Sequence, residues 1–545
     1  QRSFGRGAPS PGGHSFGDVG MPCAMWLLIS SCLGISALAA VEPTCTPGES
    51  TCRLGEPKVT SAGSYYWPMA MGHPNYYSNP PWPGPTDLQS SFSWKWFGPT
   101  GTRHEESFVG AVIDDKKNIY VTGDFHVYKL SESGELLWTY RMPWQASGDG
   151  PAIYDGKLNG ATNDGRIYSV DMETGAEMWV TKASNHDGGE YSQLAAHNGV
   201  LVTQGDLRCK ELPWQACASA KARGLNTTDG RILWTFDPDE VLWDWFPQFP
   251  DDDSVIFMDR TGTVFKLRLQ TGELIWRAAG TPDSWTDGSQ FVAANGLTYS
   301  VQVSTTACTS FSLSLSHVSE CEGYVTAYRT SDGSRVWRAT VPKPPNTSPV
   351  VGRLAGGEKL TLVMGIGQQS QLGCQPPASV WSMLPLPLPL IVQGFLFLVT
   401  HTVSVWMGDF NYLLWQVRQT RTHDLYAFDA ETGERLWTWE GPTTHRLCNR
   451  GDEDGFLWRM LRGYRTVCCP TPWGQPRIDP DGTIFIPNEN GDVFALNDAN
   501  RDGRIDGAKE VSVYHTGATF PHCGTAHAPG MMVAVNFDGV FVWKS

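Results

Sequence analysis

Val170-Asp-Met-Glu-Thr-Gly-Ala-Glu-Met-Trp179 decides the fold, because the same ten-residue phrase recurs along the chain and always ends in tryptophan. It returns as KLSESGELLW (Lys129 to Trp138), LNTTDGRILW (Leu225 to Trp234), LRLQTGELIW (Leu267 to Trp276), YRTSDGSRVW (Tyr328 to Trp337) and FDAETGERLW (Phe428 to Trp437). A fixed internal period means that one supersecondary unit is stacked many times, none burying its apolar face alone. The alternating run Arg166-Ile-Tyr-Ser-Val-Asp171 enters Glu-Thr-Gly, where Gly175 is free to take the positive φ of a tight hairpin turn. A second strand then places the indole at a constant distance from the glycine, where it covers the neighbouring unit. Further alternating runs lie upstream, as in Asn118-Ile-Tyr-Val-Thr-Gly123 and Ser254-Val-Ile-Phe-Met-Asp259. Three or four short strands per period of roughly 40 residues is the pattern of a β-propeller blade.

The tryptophan intervals count the blades. Trp138 to Trp179 spans 41 residues and Trp234 to Trp276 spans 42, so these units are nearly bare. Intervals of 55, 61 and 100 elsewhere indicate loop insertions. A seventh unit runs from Thr483-Ile-Phe-Ile-Pro487 through Asp492-Val-Phe-Ala-Leu496 to Glu510-Val-Ser-Val-Tyr514. The eighth is split: Met531–Val535 and Val540–Trp543 supply its inner strands, and Ser91–Phe97 its outer one, with Trp96 as the repeat tryptophan 42 residues before Trp138. Pairing the two ends closes the ring and removes its open edges. The expected fold is all-β, an eight-bladed β-propeller closed by N- and C-terminal strands, with seven blades if that pairing fails.

The Asp-x-x-Thr-Gly-x-x-x-Trp pattern of Asp171–Trp179 and Asp429–Trp437 resembles the tryptophan-docking repeat of the pyrroloquinoline-quinone (PQQ) propellers, over roughly Ser90 to Ser545. That superfamily includes quinoprotein alcohol dehydrogenases and non-catalytic members such as the scaffold lipoprotein of the bacterial outer-membrane assembly machine. The resemblance is specific for the fold and not for the cofactor, because function on a propeller lives in its channel and face loops.

Composition agrees with a large β-rich body: 41% hydrophobic residues, 12% aromatic, 58 Gly and 37 Pro. A net charge of -15 argues against nucleic acid or an anionic membrane surface as partner. Residues 1–20 read as a non-native or disordered leader and 21–40 as a signal peptide, its apolar core Trp26–Ala40 ending in Ala37-x-Ala39. A cysteine-, aromatic- and proline-rich arm follows over 41–89. It contains Tyr65-Tyr-Trp-Pro-Met and Tyr76-Tyr-Ser-Asn-Pro-Pro-Trp82 and is expected to pack on the ring. Eleven of thirteen cysteines follow the cleavage site, and Cys45/Cys52, Cys209/Cys217 and Cys308/Cys321 form close pairs suited to local disulfides. Asn226-Thr-Thr228 and Asn346-Thr-Ser348 are glycosylation sequons. Together these predict a secreted or lumenal protein. The uncharged stretch Leu384–Met407, inside an insertion over 379–418, reads first as translated intron sequence and next as a disordered or surface-packed insertion, with membrane association as the remaining alternative. A single span there would separate the last blades from the first, and Pro385, Pro387 and Pro389 weaken a helix.

Four places are candidates for chemistry. Asp498-x-Asn500-x-Asp502-Gly-Arg504-Ile-Asp506 matches the first nine positions of a calcium loop, with Lys509 where the bidentate Glu would stand; the same residues also suit an Asx-rich hairpin turn. The adjacent Cys468 and Cys469 invite comparison with the vicinal disulfide that covers the quinone in quinoprotein dehydrogenases, but here they fall in a late insertion, where separate structural disulfides or free thiols are the favoured reading. His515, His522, Cys523 and His527 offer zinc- or copper-type ligands at a spacing that matches no established site. The aromatic arm is the fourth. No catalytic set is assignable from sequence, which favours a binding or assembly scaffold whose protein or small-molecule ligand sits on a propeller face. The alternative is a PQQ- and calcium-dependent dehydrogenase acting on an alcohol or sugar.

Overall fold

A computed structural model describes residues 65–74, 77–103, 105–147, 150–186, 193–208, 218–250, 252–286, 288, 290–308, 321–345, 347–367, 422–443, 473–502, 504–505, 509–520 and 523–545. All of them fall in one compact unit, Ser50–Ser545. Cys45/Cys52, Cys209/Cys217, Cys468, Cys469, Asp506, His522, Asn346 and the 379–418 insertion lie outside the described residues.

Eight small antiparallel sheets follow one another along the described chain and form an eight-bladed propeller. Blade 1 spans Val109–Arg141, blade 2 Ala152–Lys182, blade 3 Ala195–Phe236, blade 4 Ser254–Ala278, blade 5 Ser284–Val341, blade 6 Val350–Glu440, blade 7 Arg477–His515 and blade 8 Ala526–Lys544. Strands run outward from the axis in sequence order. Two blades are irregular at the axis. Blade 4 has three strands, and Gln248 supplies its innermost bridge, to Ile256. In blade 5, Ser284–Trp285 and Gln290–Val292 share Leu297–Cys308 as their neighbour.

The ring closes as expected. Phe92–Trp96 adds an outer strand to Gly539–Lys544, with Trp94 opposite Val542 and Trp96 opposite Val540. The innermost strand of this blade is Ala526–Ala528, so Met531–Asn536 and Gly539–Lys544 occupy the second and third positions.

Repeat chemistry explains the stacking. Asp171 Oδ1 accepts the N–H groups of Glu173 and Thr174 at 3.1 and 2.8 Å, which sets the turn. Gly175 follows at φ 71°, and a Cβ there would stand 2.8 Å from the Trp138 ring of the preceding blade. Five of the repeat indoles donate their N–H to a carbonyl in the next blade's turn: Trp138 to Met172, Trp179 to Thr227, Trp234 to Leu269, Trp276 to Thr330 and Trp337 to Ala430, at 2.7–3.3 Å. A ring thus covers the glycine while its one polar atom is satisfied. In blade 8 this role falls to Trp94, which donates to Glu132 O at 3.0 Å and lies against Gly134. Trp96 is therefore not the repeat tryptophan. It packs two residues further along against Phe108 and Tyr128, the position that Tyr140 takes in blade 1. Gly175→Val is expected to cost about 2 kcal/mol, since it meets both a left-handed backbone and the indole. A shift of the denaturation midpoint measures it.

Candidate functional site

Inner strands of a propeller face its axis, so the axis is where residues distant in sequence converge. One end is occupied by the arm. Trp67 exchanges backbone hydrogen bonds with Ile113 of blade 1 at 2.9 and 2.8 Å, and Pro68 O accepts Ile153 N of blade 2 at 2.8 Å. The Tyr77 hydroxyl takes Phe249 N at the inner edge of blade 4, 2.6 Å away. Ser78 O accepts Ile478 N of blade 7 at 3.1 Å. Trp67, Met69 and Met71 are buried. The arm packs on the ring as its composition suggested, and it does so as a plug across the axis.

Arg477, on the innermost strand of blade 7, fastens that plug. Its side chain is fully buried. Nη2 donates to Ala70 O and Gln475 Oε1 at 2.8 and 3.2 Å, Nη1 to Ser78 Oγ and Pro476 O at 3.0 and 3.1 Å, and Nε to Thr525 O at 3.0 Å. These five bonds use every donor a guanidinium has. Trp67 covers its face, with the ring centroid 5.3 Å away. Burial depresses the Arg477 pKa to about 9.

Two of the proposed ligands lie beside it. Cys523 is a buried free thiol in the link between blades 7 and 8, and Gln193 Nε2, from the link between blades 2 and 3, reaches its Sγ at 3.2 Å. Burial pushes this thiol up to about 11, against the opposing influence of Gln193, Arg477 and the Gly110 N–H. His527, on the innermost strand of blade 8, is buried with Nε2 2.8 Å from Thr525 Oγ1. Burial, and then the Arg477 charge, push it down to about 3. His515 is elsewhere: it is exposed on the outer strand of blade 7 and bonded to Asp492 Oδ1 at 2.7 Å. The described part of the histidine–cysteine set is therefore split between two environments.

Asp498, Asn500 and Asp502 form the outer turn of blade 7, where other blades carry the glycine phrase. Asp502 N donates to Asp498 Oδ1 and Asn500 Oδ1 at 3.1 and 2.8 Å, and Arg504 N to Asp502 Oδ1 at 2.9 Å. Side-chain oxygens thus serve the turn's own N–H groups. Asn226 does likewise, accepting Thr228 N at 2.7 Å. Cys321 is disulfide-bonded, and Cys308 stands opposite it in the strand register.

A quinone needs a flat apolar slot, and its calcium needs several oxygen ligands. Arg477, Gln193 and Cys523 do not form that pair. Gln193 and Cys523 meet across the axis, and the Arg477 donors are committed to protein oxygens. No group of three or more His, Cys, Asp or Glu among the described residues is arranged to hold a metal. A neutral imidazole, a protonated thiol and a saturated guanidinium supply packing and hydrogen bonds, not an acid–base pair. Besides His515 with Asp492, two further imidazole–carboxylate contacts among the described residues lie away from the axis cluster: His126 with Glu106 on blade 1, and buried His423 with Glu489 at 3.2 Å between blades 6 and 7.

Sequence reading passed over Arg477, Gln193 and Gln475. Their common signal is position, just before or at the start of an innermost strand, as in Gln475-Pro-Arg477.

Comparison with known proteins gives the same architecture. A tetrathionate hydrolase of Acidithiobacillus ferrooxidans is 23% identical over 214 residues, 36% of this chain and 38% of that protein. A quinoprotein ethanol dehydrogenase of Pseudomonas putida is 33% identical over 108 residues, 18% of this chain and 17% of that protein. The matches thus span well under half of these relatives. A solved quinohemoprotein alcohol dehydrogenase, ADHIIG from Pseudomonas putida HK5, superposes with a TM-score of 0.51 at 11% identity, covering 88% of this chain and 80% of that one. The family model described as outer membrane protein assembly factor BamB matches residues 67–211 and 225–438. That is more than half of the chain, and the protein belongs to this BamB-like family of PQQ-like repeat propellers.

Proposed function

We propose that this protein is a secreted or lumenal propeller that serves as a binding and assembly scaffold, with its partner on the loops of a propeller face. The observation that carries the reading is one end of the axis, crossed by the arm and fastened there by Arg477, with Gln193 and Cys523 in contact beside it. The BamB-like family model supports the scaffold class. The disulfide at Cys321 supports an oxidising compartment. Recognition falls to the face loops, which a rigid ring holds in place. If calcium binds, Asp498, Asn500, Asp502, Arg504 O and Asp506 are its ligands, and its role at that outer turn is structural.

A second reading, a quinone-dependent dehydrogenase, is favoured by the similarity to the quinoprotein ethanol dehydrogenase. Reconstitution separates the two. Folded protein incubated with calcium and PQQ is expected to emerge from gel filtration without quinone absorbance. Stoichiometric retention of the quinone would overturn the scaffold reading.

A further inference from the structure

The outer strand of blade 5 departs from the repeat at two positions that share a face. A bulge there leaves Arg335 opposite Tyr328 and Arg338 opposite Thr326. Opposed residues of a sheet share a face, and Thr326 and Tyr328 stand two apart on one strand, so all four side chains lie on the same side of the blade. The equivalent positions hold Leu136 and Thr139 in blade 1, Glu177 and Val180 in blade 2, and Ile232 and Thr235 in blade 3. They hold Leu274 and Arg277 in blade 4, and Arg435 and Thr438 in blade 6. Of these six blades, blade 5 alone carries arginine at both, and stacking of the ring does not require it.

The two arginines line a cleft of about 380 Å³ between blades 4 and 5. The link Ala278–Pro282, the buried Tyr328 and the turn glycine Gly333 complete its wall, and no carboxylate lines it. Asp332, on the adjoining turn, accepts Ser334 N–H and O–H at 2.9 and 2.6 Å. Arg277 of blade 4 is paired with Asp239 at 2.6 Å, whereas among the described residues Arg335 and Arg338 have no such pairing. Arg338 is oriented by Tyr324, its guanidinium carbon 4.0 Å from the ring centroid. Both charges reach one point of the wall. Burial raises the Tyr328 pKa, and hydrogen bonds with Ser300 and Thr326 and then the Arg335 and Arg338 charges oppose that rise.

We propose that this cleft binds a tetrahedral oxyanion, a phosphate or sulfate group carried as an ester on a small polar molecule, with Arg335 and Arg338 as its clamp. Two like charges on one face repel each other, and an anion between them removes that repulsion. A guanidinium fork engages two such oxygens at once, and two forks suit a tetrahedral group. The volume lies in the range of small-molecule pockets, about 300–1,000 Å³, and exceeds what one free oxyanion fills. The Thr281 hydroxyl and the backbone at Gly280 suit a hydroxylated remainder such as a sugar. The site lies on a seam between blades, off the axis, and holds whether the ring is a scaffold or an enzyme.

The test titrates the full chain calorimetrically with inorganic phosphate, inorganic sulfate, glucose 6-phosphate and glucose 6-sulfate, against sodium chloride at matched ionic strength and against glucose. Each of the four anions is expected to bind at one saturable site, the esters more tightly than the free oxyanions, and glucose not at all. The better of the two esters identifies the phosphate or the sulfate source. Arg335→Gln and Arg338→Gln are each expected to weaken binding about tenfold, and the double variant to abolish it, with the unliganded Tm unchanged. Arg335→Lys keeps the charge without the fork and is expected to fall between wild type and Arg335→Gln. Arg277→Gln, at the equivalent place one blade earlier, is expected to bind as wild type does. No saturable heat with any of the four anions, undiminished binding in the double variant, or an equal loss in Arg277→Gln would each overturn the proposal. A free oxyanion bound as tightly as its ester would overturn the assignment of an ester.

Discussion

Arg477→Ala is expected to lower the stability of the ring by about 3–5 kcal/mol, the range for breaking a fully buried hydrogen-bonded charged network. The side chain makes five hydrogen bonds, two of them to the arm at Ala70 and Ser78. Truncation leaves those buried acceptors unserved and opens a cavity under Trp67. Arg477→Lys restores the charge and recovers only part of the loss, because an ammonium has three donors and no plane to lie on the indole. Equilibrium denaturation of the three proteins measures the order: wild type, then lysine, then alanine. Limited proteolysis locates the effect, with cleavage between Trp67 and Asn79 accelerated ahead of the blades. An alanine variant as stable as wild type, with an equally protected arm, would contradict the role given to this residue.

The second large effect is loss of stability in mild acid. Burial pushes His527 down to about 3 and His73 down to about 4; Arg477 assists at His527 and His197 at His73. Both values lie below the unfolded value near 6.5. Between pH 6.5 and 4 the unfolded chain therefore binds protons that the native histidines refuse, and native stability falls as pH drops through that window. Above pH 6.5 their contribution is fully present. Asp479 works the other way. Burial raises it to about 6, so its native form gains protons over the same range. Two losses against one gain leave a net decrease on the order of 3 kcal/mol by pH 4. Tm measured from pH 7.5 to 4 is expected to fall, and to fall less steeply in His527→Gln. A flat or rising profile in wild type would contradict the lowered values of these imidazoles.

The fold was legible because its determinants are local and repeated. Asp171 caps a turn, Gly175 completes it, and Trp138 covers it, and the same arrangement recurs from blade to blade. Ring closure was legible from Ser91–Phe97 because a strand without partners must find an edge. The misplaced tryptophan shows the limit of spacing. Trp94 and Trp96 lie on the same face of one strand, and only the glutamate carbonyl that accepts the Trp94 indole distinguishes them. The axial site was not legible. Arg477 meets Ala70 and Ser78 across 407 and 399 residues of chain, and Gln193 meets Cys523 across 330. None of these residues repeats, so periodicity carries no trace of their meeting. The histidine and cysteine cluster drew notice for its ligand types, whereas its described buried members, Cys523 and His527, are set first by their burial and only then by the Arg477 charge.

Amide hydrogen exchange across Trp67 to Ser78 tests the filled axis most directly. A plug held by Ile113, Ile153, Ile478 and Arg477 predicts that its bonded amides, Trp67 and Ser78 among them, exchange as slowly as those of the innermost strands. Exchange at the rate of an exposed loop, with the blades still protected, would mean that the axis is open and available to a ligand, and would remove the main support for a scaffold over a cofactor enzyme.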